Sequence, residues 1–262
     1  MRIEDIQSRM NTRWLARSGI CLECVDSTNL YAGRIAEQAE HGTLIVAEEQ
    51  TCGKGRRGRS WETEKRVNVM MTLLLRPEIR KERASQLTLL MAMAVVRGIR
   101  DLTGLAAKIK WPNDIVVNEK KVCGILTEMI MKTDDSYDVM IGTGINVNQM
   151  EFSEELIHAG SLKTELGKDI SREELIARIL DVFEELYEVF TETEDLSGLY
   201  EEYNEVCVNV GCQVRVLEPG NEYVGTAHGI NKIGELVVQK ETGETVCVYA
   251  GEVSVRGLYG YV

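Results

Sequence analysis

The feature that most restricts the fold is a change of pattern near residue 206. Before it, segments with helical apolar spacing alternate with β-rich runs, as is typical of helices packed on a sheet. After it, short β-rich runs follow closely at 213–217, 223–230, 235–239, 245–249 and 253–258, with turn signals at 219–221, 231–232, 241–243 and 251. Short, closely spaced strands predict a small barrel. We therefore expect an α+β protein with two domains, 1–209 and 210–262.

The larger predicted domain contains helices whose ends the sequence marks. Ser27 or Thr28 can cap a helix to about Glu40, and a capping box of Ser171 and Glu174 precedes a long amphipathic helix. Two further helices are predicted over 84–102, which is apolar on nearly all sides, and over 196–205. Strands are predicted over 19–25, 43–48, 67–75, 108–111, 114–117, 122–131 and 138–147, with a hairpin turn at 118–120.

Charge and hydropathy exclude several classes of protein. The net charge of −12 argues against a general nucleic-acid-binding surface. Residues 151–205 hold 17 acidic and 4 basic residues, which is typical of a solvated helix face, so the acidity belongs to this one segment. The longest strongly apolar run, 87–96, is too short to span a bilayer, and no secretory signal opens the chain. We expect a soluble cytoplasmic protein that binds neither DNA nor membranes.

The cysteines do not indicate a disulfide framework or a metal site. They number seven, an odd count, and only Cys21 and Cys24 form a CxxC pair. The three histidines lie far apart in the sequence. Because tetrahedral zinc needs four clustered ligands, we predict no metal site built by the protein and expect reduced, mostly buried thiols.

A short basic segment, residues 53–59, reads Gly-Lys-Gly-Arg-Arg-Gly-Arg. Glycine permits positive φ and close backbone approach, and the cations suit phosphate oxygens, so the segment is typical of a loop that closes over phosphates. It is not a Walker A loop, because the Lys-Ser/Thr ending is absent, nor a GxGxxG turn. An exposed, solvated loop is the alternative interpretation. Trp61, two residues beyond, offers a flat face for a purine, although a tryptophan there more often serves packing.

Polar residues also follow the predicted strand at 108–111, in the sequence Lys110-Trp111-Pro112-Asn113-Asp114. The proline fixes its own φ and biases Trp111 toward extended geometry, which holds the polar side chains in defined directions. Lysine suits phosphate oxygens, and Asn and Asp suit a nucleotide or Mg²⁺. Lys121 begins the next strand, where a lysine is usually a solvated edge charge.

Together these segments resemble the biotin–protein ligases. The matching motifs, in the same order and spacing, are 26–29 (DSTN), 49–61 (EQTCGKGRRGRSW), 110–114 (KWPND), 121–128 (KVCGILTE) and 141–148 (IGTGINVN). The resemblance covers residues 19–262, and the basic segment together with KWPND makes it highly specific.

This resemblance implies a catalytic domain with a mixed sheet flanked by helices, related to class II aminoacyl-tRNA synthetases and lipoyl ligases, followed by an SH3-like barrel. It also implies two half-reactions. Biotin and MgATP give biotinyl-5′-AMP and pyrophosphate, and a lysine of a biotin carboxyl carrier domain of a carboxylase then takes the biotinyl group as an amide. The protein would act as a monomer or a homodimer.

The resemblance further implies roles for individual residues. Those implied to bind biotin are Ser27, Thr28, Asn29, Gln50, Lys54, Gly55, Arg56 and Lys121, with Ser27 and Gln50 near the ureido ring. Those implied to bind ATP or the adenylate are Arg56, Arg59, Trp61, Asn113, Asp114, Lys121 and Asn146. Those implied to act in catalysis are Lys121, Arg56, Lys110 and Asp114, with Lys121 contacting the biotin carboxylate oxygen.

Three departures from the family pattern stand in or near the basic segment. Lys54 replaces a commoner arginine, which keeps the charge but loses bidentate geometry. Cys52 replaces a small apolar residue, and 62–66 replaces a stretch that usually carries proline and glycine.

Three alternative functions are disfavoured. Lipoate or octanoate transfer shares the fold, but the basic segment and KWPND favour biotin. A repressor role would need an N-terminal winged helix-turn-helix of roughly 55 to 65 residues, whereas 25 residues precede Asp26. A non-catalytic biotin binder is disfavoured because Lys110, Asn113, Asp114 and Lys121 are all present.

Overall fold

The structure, a computed structural model, describes residues 1–133, 136–217, 220 and 222–250, and the backbone of 254–257. In chain order its helices and strands are α1 (Ile3–Gln7), β1 (Gly19–Leu22), α2 (Thr28–Ile35), β2 (Thr43–Ala47), β3 (Val69–Leu75), α3 (Leu87–Thr103), β4 (Lys108–Lys110), β5 (Asp114–Val117), β6 (Lys120–Met131), β7 (Tyr137–Ile145), α4 (Leu162–Leu166), α5 (Arg172–Thr193), α6 (Tyr200–Val206), β8 (Gln213–Leu217), β9 (Tyr223–Ile230), β10 (Leu236–Lys240), β11 (Thr245–Val248) and β12 (Ser254–Gly257). Short 3₁₀ helices occupy Arg56–Gly58 and Lys81–Gln86.

The main sheet has seven strands in the order β1-β2-β3-β7-β6-β5-β4. The β1–β2 pair is parallel and the other neighbouring pairs are antiparallel, so the sheet is mixed. The predicted hairpin turn between β5 and β6 is confirmed. Asn118 and Glu119 have φ values of 46° and 65°, which a two-residue type I′ turn requires.

Helices cover the two faces of this sheet unequally. α3 is buried along nearly its whole length because it lies between the sheet and α5, which explains why its sequence is apolar on most sides. On the opposite face, α2 packs Ala32 and Ala36 against Ile45, Leu74 and Met140. Because α2 has only eight residues, it covers only part of this face. The segment 51–66, called the basic loop below, lies over another part of it.

Several predicted boundaries differ from the observed ones. The helix expected to reach Glu40 ends at Ile35, because the chain turns there toward β2 and passes Gly42 at a φ of 82°. The helix expected from Ala84 begins at Leu87, after a 3₁₀ turn. Leu196 to Leu199 also form a turn, so α6 begins only at Tyr200. Ser171 caps α5 and supplies one half of the predicted capping box, since its Oγ accepts the N–H of Glu174 at 3.2 Å.

The C-terminal strands form an antiparallel sheet in the order β11-β10-β9-β8-β12. β11 and β12 stand at opposite ends of that order, so the predicted barrel is not closed over the part of the chain that the structure describes. The predicted turns at 219–221 and 251, and residues 253 and 258 of the last predicted strand, fall largely or wholly outside the described residues.

In the described residues, no helix is both long enough and apolar enough to cross a membrane.

Candidate active site

A cavity of about 60 Å³ lies on the α2 face of the sheet, between the N-terminus of α2, strands β3, β6 and β7, and the basic loop. The sequence-predicted residues that line it are Ser27, Thr28, Asn29, Gln50, Lys54, Gly55, Arg56, Trp61, Asn113 and Lys121. The structure therefore brings together residues that lie up to 94 positions apart, from Ser27 to Lys121.

Four predicted site residues do not line the cavity. Asp114 lies directly behind it, with Oδ1 2.6 Å from Lys121 Nζ. Lys110 is buried on β4, and Arg59 is exposed on the basic loop. Asn146 is buried just after β7. The implied catalytic role of Lys110 and the implied nucleotide roles of Arg59 and Asn146 stay predictions.

Polar side chains at the start of α2 form one end of the cavity. Gln50 Oε1 accepts hydrogen bonds from the backbone N–H of Thr28 at 2.8 Å and from its hydroxyl at 3.0 Å. Asn29 Nδ2 donates to Glu128 at 2.8 Å. Asp26 supports the turn before α2 through its bidentate ion pair with Arg34. That ion pair, followed by the Ser27 backbone N–H, lowers the pKa of the Asp26 carboxyl.

The basic loop folds into a small hairpin that lines part of the cavity. Lys54 and Ser60 form a single antiparallel bridge, and the N–H of Gly55 donates to the carbonyl of Arg59 at 2.7 Å. Arg57 has a φ of 59°, a left-handed conformation at the tip of the hairpin. This geometry gives the basic loop a defined path beside the cavity.

Arg56 carries the contacts of this loop to the rest of the protein. Its guanidinium donates to Asn113 Oδ1 at 2.9 Å and to the carbonyl of Ala250. Burial lowers the pKa of this guanidinium, partly offset by Asp114. Arg56 therefore joins the basic loop to the KWPND segment and to the turn that follows β11, a contact with Ala250 that the sequence did not indicate.

Trp61 packs against two glycines of the sheet. Gly124 of β6 and Gly144 of β7 are direct cross-strand partners. A Cβ on Gly124 would lie 2.9 Å from the indole, and one on Gly144 would lie closer still. The indole also lies 5.3 Å from Lys121 Nζ, within the range of a cation–π contact. The absence of side chains at these two glycines therefore leaves the space that the Trp61 indole occupies. The buried Nε1 of Trp61 has no hydrogen-bond partner among the described atoms.

The KWPND segment is fixed by its own hydrogen bonds. Asn113 Nδ2 donates to the carbonyl of Ile125 at 3.1 Å, which leaves Oδ1 for Arg56. The N–H of Trp111 donates to Asn209 Oδ1 at 2.8 Å, and its indole donates to the carbonyl of Gly234 at 3.1 Å. Trp111 therefore anchors this segment to the C-terminal part of the chain and does not face the cavity.

Asn146 fixes a segment beside Lys121. Its Nδ2 donates to the carbonyl of Gly160 at 3.0 Å, while its buried Oδ1 has no partner in the described part of the structure. The backbone of Lys121 pairs with the same segment, donating to His158 and accepting from Gly160.

Sequence reasoning missed Thr72, which is fully buried in β3 and contacts both Thr28 and Asn29. The signal that could have found it is the single polar residue in the run Val-Met-Met-Thr-Leu-Leu-Leu. Glu128 was quoted within a motif but had no assigned role.

Two family models match the chain. Residues 21–146 match the biotin/lipoate A/B protein ligase family, and residues 210–256 match the biotin protein ligase C-terminal domain. The bifunctional ligase/repressor BirA of Bacillus subtilis (strain 168) is 37% identical over 243 residues, covering 91% of this chain and 74% of that protein. The biotin–[acetyl-CoA-carboxylase] ligase of Mycobacterium tuberculosis (strain ATCC 25618 / H37Rv) is 29% identical over 218 residues, covering 81% and 78%.

Solved structures agree with the sequence relatives. The biotin protein ligase from Aquifex aeolicus in complex with biotin and ATP is 30% identical, with a TM-score of 0.81 over 92% of this chain and 99% of that one. With the motif residues gathered around one cavity, and with these relatives matching over nearly the whole length, the chain belongs to the biotin protein ligase family.

Proposed function

We propose that this chain activates biotin with MgATP as biotinyl-5′-AMP and transfers the biotinyl group to a lysine of a biotin carboxyl carrier domain. One observation carries the proposal. The lining of one cavity combines neutral polar side chains, those of Thr28 and Gln50 (the neutral polar end), with cationic side chains, those of Arg56 and Lys121 (the cationic end). That arrangement suits a substrate with an uncharged polar ring at one end and a carboxylate at the other.

In the first half-reaction, a biotin carboxylate oxygen attacks the α-phosphorus of ATP, and the bond to the leaving pyrophosphate breaks. Lys121 lies at the cationic end, where its ammonium binds the carboxylate oxygen and stabilises the negative charge that develops on the mixed anhydride. Asp114, 2.6 Å from Lys121 Nζ, fixes the direction of that ammonium.

In the second half-reaction, the neutral amine of the acceptor lysine attacks the biotinyl carbonyl carbon. An amide bond forms, the acyl–phosphate bond breaks, AMP leaves, and the amine releases its proton. Arg56 holds the basic loop over the adenylate through Asn113 and the carbonyl of Ala250. A closed loop keeps water from the anhydride until the acceptor arrives.

Mg²⁺ enters this scheme with the nucleotide. Among the described residues, no group of three or more His, Cys, Asp or Glu side chains is placed to hold a metal ion. The donor set therefore fits a cation held mainly by ATP phosphates, as Mg²⁺ prefers, and not one held by a protein cage. The cation supplies charge neutralisation at the phosphates.

We propose the finer architecture as well. Residues 1–209 would form a catalytic domain related to class II aminoacyl-tRNA synthetases, and residues 210–262 an SH3-like domain. The mixed seven-stranded sheet and the separate five-stranded antiparallel sheet support this division.

We propose a biotin-dependent carboxylase as the source of the acceptor domain, with a cytoplasmic monomer or homodimer as the active form. The net charge of −12 supports an enzyme that does not bind DNA. Because the relatives include proteins named ligase/repressor, a DNA-binding assay belongs with the enzymatic one. A salt-resistant shift of an operator fragment, enhanced by biotinyl-5′-AMP, would contradict this part of the proposal.

The test is incubation with biotin, MgATP and a carrier domain, followed by intact mass measurement of the carrier. One biotinyl addition is expected, and none on a carrier whose acceptor lysine is changed to arginine. Parallel reactions with lipoate and octanoate test whether the chain transfers these acyl groups in place of biotin. Modification by lipoate but not by biotin would overturn the proposal.

A further inference from the structure

A chain of buried hydrogen bonds lies beneath the neutral polar end of the cavity. Thr72, on β3, places its hydroxyl 2.8 Å from Thr28 Oγ1 and 2.7 Å from Asn29 Oδ1. All three residues are buried, with exposed fractions of 0% for Thr72, 3% for Thr28 and 4% for Asn29. These hydrogen bonds continue from Thr28 to Gln50 and from Asn29 to Glu128 on β6.

The direction of each hydrogen bond in this chain follows from the chemistry of its ends. Gln50 Oε1 can only accept, so the Thr28 hydroxyl proton points toward it, and Thr28 Oγ1 must accept from its other neighbour. That neighbour is the hydroxyl of Thr72.

At the other end, two acceptors fix the side-chain amide of Asn29. Its Nδ2 donates to the carbonyl of Leu126 at 3.1 Å and to the carboxylate of Glu128 at 2.8 Å. Its Oδ1 therefore faces Thr72 and also accepts. The single proton of the Thr72 hydroxyl thus serves two buried acceptors, one on each side.

Space for this arrangement comes from the neighbouring strand. Gly142 of β7 is the direct cross-strand partner of Thr72. A Cβ on Gly142 would lie 2.9 Å from Asn29 Cγ, so only a glycine lets the amide reach the Thr72 hydroxyl. Thr72 and Gly142 together form the surface against which the start of α2 packs. Thr72 supplies the hydrogen-bond donor, and Gly142 leaves the space that the Asn29 side chain occupies.

Resting on the proposed function, we propose that Thr72 is a positioning residue for biotin binding, which acts by fixing Thr28 and Asn29 from beneath the cavity. Fixing Thr28 in turn fixes Gln50, because both donors to Gln50 Oε1 belong to Thr28. The Gln50 amide nitrogen is then directed toward the basic loop, where a Cβ on Gly53 would lie 3.2 Å from it. Thr72 itself does not line the cavity.

The experiment measures binding and turnover in the full-length protein. Pyrophosphate release is followed while biotin and ATP are varied in turn, and biotin binding without ATP is measured by calorimetry. For Thr72→Val, which keeps the shape and removes the hydroxyl, we expect the Kd and KM for biotin to rise about ten-fold. The KM for ATP should change by less than about two-fold, and Thr72→Ser, which restores the donor, should recover most of the biotin affinity.

Thr43→Val is the matched control. Thr43 is a buried threonine at the start of β2, and its hydroxyl donates to the carbonyl of Glu40 at 2.8 Å. Thr43 does not line the cavity. This variant also removes one buried hydroxyl, and it should keep wild-type values for both substrates.

Three results would overturn the proposal: an unchanged biotin Kd in Thr72→Val, a parallel rise of both KM values, or an equal effect of Thr43→Val. If the valine variant does not fold, Thr72→Ala removes the same hydroxyl and is read by the same criteria. A wild-type protein that releases no pyrophosphate with biotin would instead refute the proposed function.

Discussion

Lys121→Ala gives the strongest test of the mechanism, because its predicted effects on activity and on stability differ in size. Removing a donor aimed at developing charge costs about 10²–10³ in rate, which corresponds to about 2.7–4 kcal/mol. The Lys121–Asp114 pair is partly exposed, with side-chain exposed fractions of 27% and 17%. Partly solvated ion pairs contribute about 1 kcal/mol or less to folding. Adenylate formation should therefore fall steeply while the protein stays folded.

The assay is pyrophosphate release from biotin and MgATP without an acceptor protein, with thermal unfolding measured on the same samples. Lys120→Ala is the control, since Lys120 is the adjacent lysine and donates to the carbonyl of Ile157 at 2.8 Å, away from the cavity. It should retain the wild-type rate.

A double variant distinguishes the loss of the Lys121 ammonium from the effect of the Asp114 carboxylate that remains. Lys121→Ala removes the cation that lies 2.6 Å from Asp114 Oδ1, so combining it with Asp114→Asn should recover only the part of the loss that this carboxylate causes. If Lys121→Ala releases pyrophosphate at the wild-type rate, or Lys120→Ala is equally impaired, the assigned role of Lys121 is wrong.

Three further predictions use other contacts. Arg56→Gly removes the hydrogen bonds that hold the basic loop. The adenylate should therefore still form, but it should escape from the site and biotinylate an unrelated protein in the mixture. Labelling of the carrier alone would contradict this role of Arg56. Gly144→Ala places a methyl group against Trp61, and the resulting overpacking, which costs about 1–3 kcal/mol, should lower the rate of adenylate formation. In the double variant with Trp61→Ala, the rate should return to that of Trp61→Ala alone. Strict additivity of the two losses would refute the contact. For buried Glu184, burial raises the carboxyl pKa, but hydrogen bonds from the backbone N–H groups of residues 13–15 prevail and the pKa is lowered. The stability it contributes is present above the pKa of an unfolded glutamate, about 4.3, and is lost as pH falls through the lowered folded value. Glu184→Gln should therefore lower the unfolding free energy at pH 7 by about 1 kcal/mol and weaken its decrease in acid, as measured by urea titration; an unchanged pH profile would argue against the role.

Most strands and helices were predictable because their signals are local. The apolar run of β3 and the Ser171 cap of α5 are legible in a few consecutive residues. The end of α2 was not predictable, because the chain leaves the helix to reach β2, and that path depends on where β2 pairs with β3. The barrel was predicted from strand spacing, but spacing does not say which strands close on each other.

Ten of the cavity-lining residues were predictable from linear motifs, whereas Met70 and Met71 and the hydrogen-bond partners of the lining residues were not. Thr72 lies 44 residues from Thr28, and Ala250 lies 194 residues from Arg56. Each contact exists only because of the strand order or the docking of the C-terminal sheet, and neither leaves a pattern in neighbouring residues.

The sequence by itself determined which chemical groups this protein has and the local conformation around them: cations among glycines, polar residues after Pro112, and a polar N-terminus for α2. The tertiary structure decided which groups meet. Strand order places β3, β7 and β6 side by side, so Thr72 faces Gly142 and Gly124 faces Gly144. The physical reason is that backbone conformation depends on adjacent residues, whereas side-chain contacts between strands depend on register, which is fixed only when the whole sheet has formed.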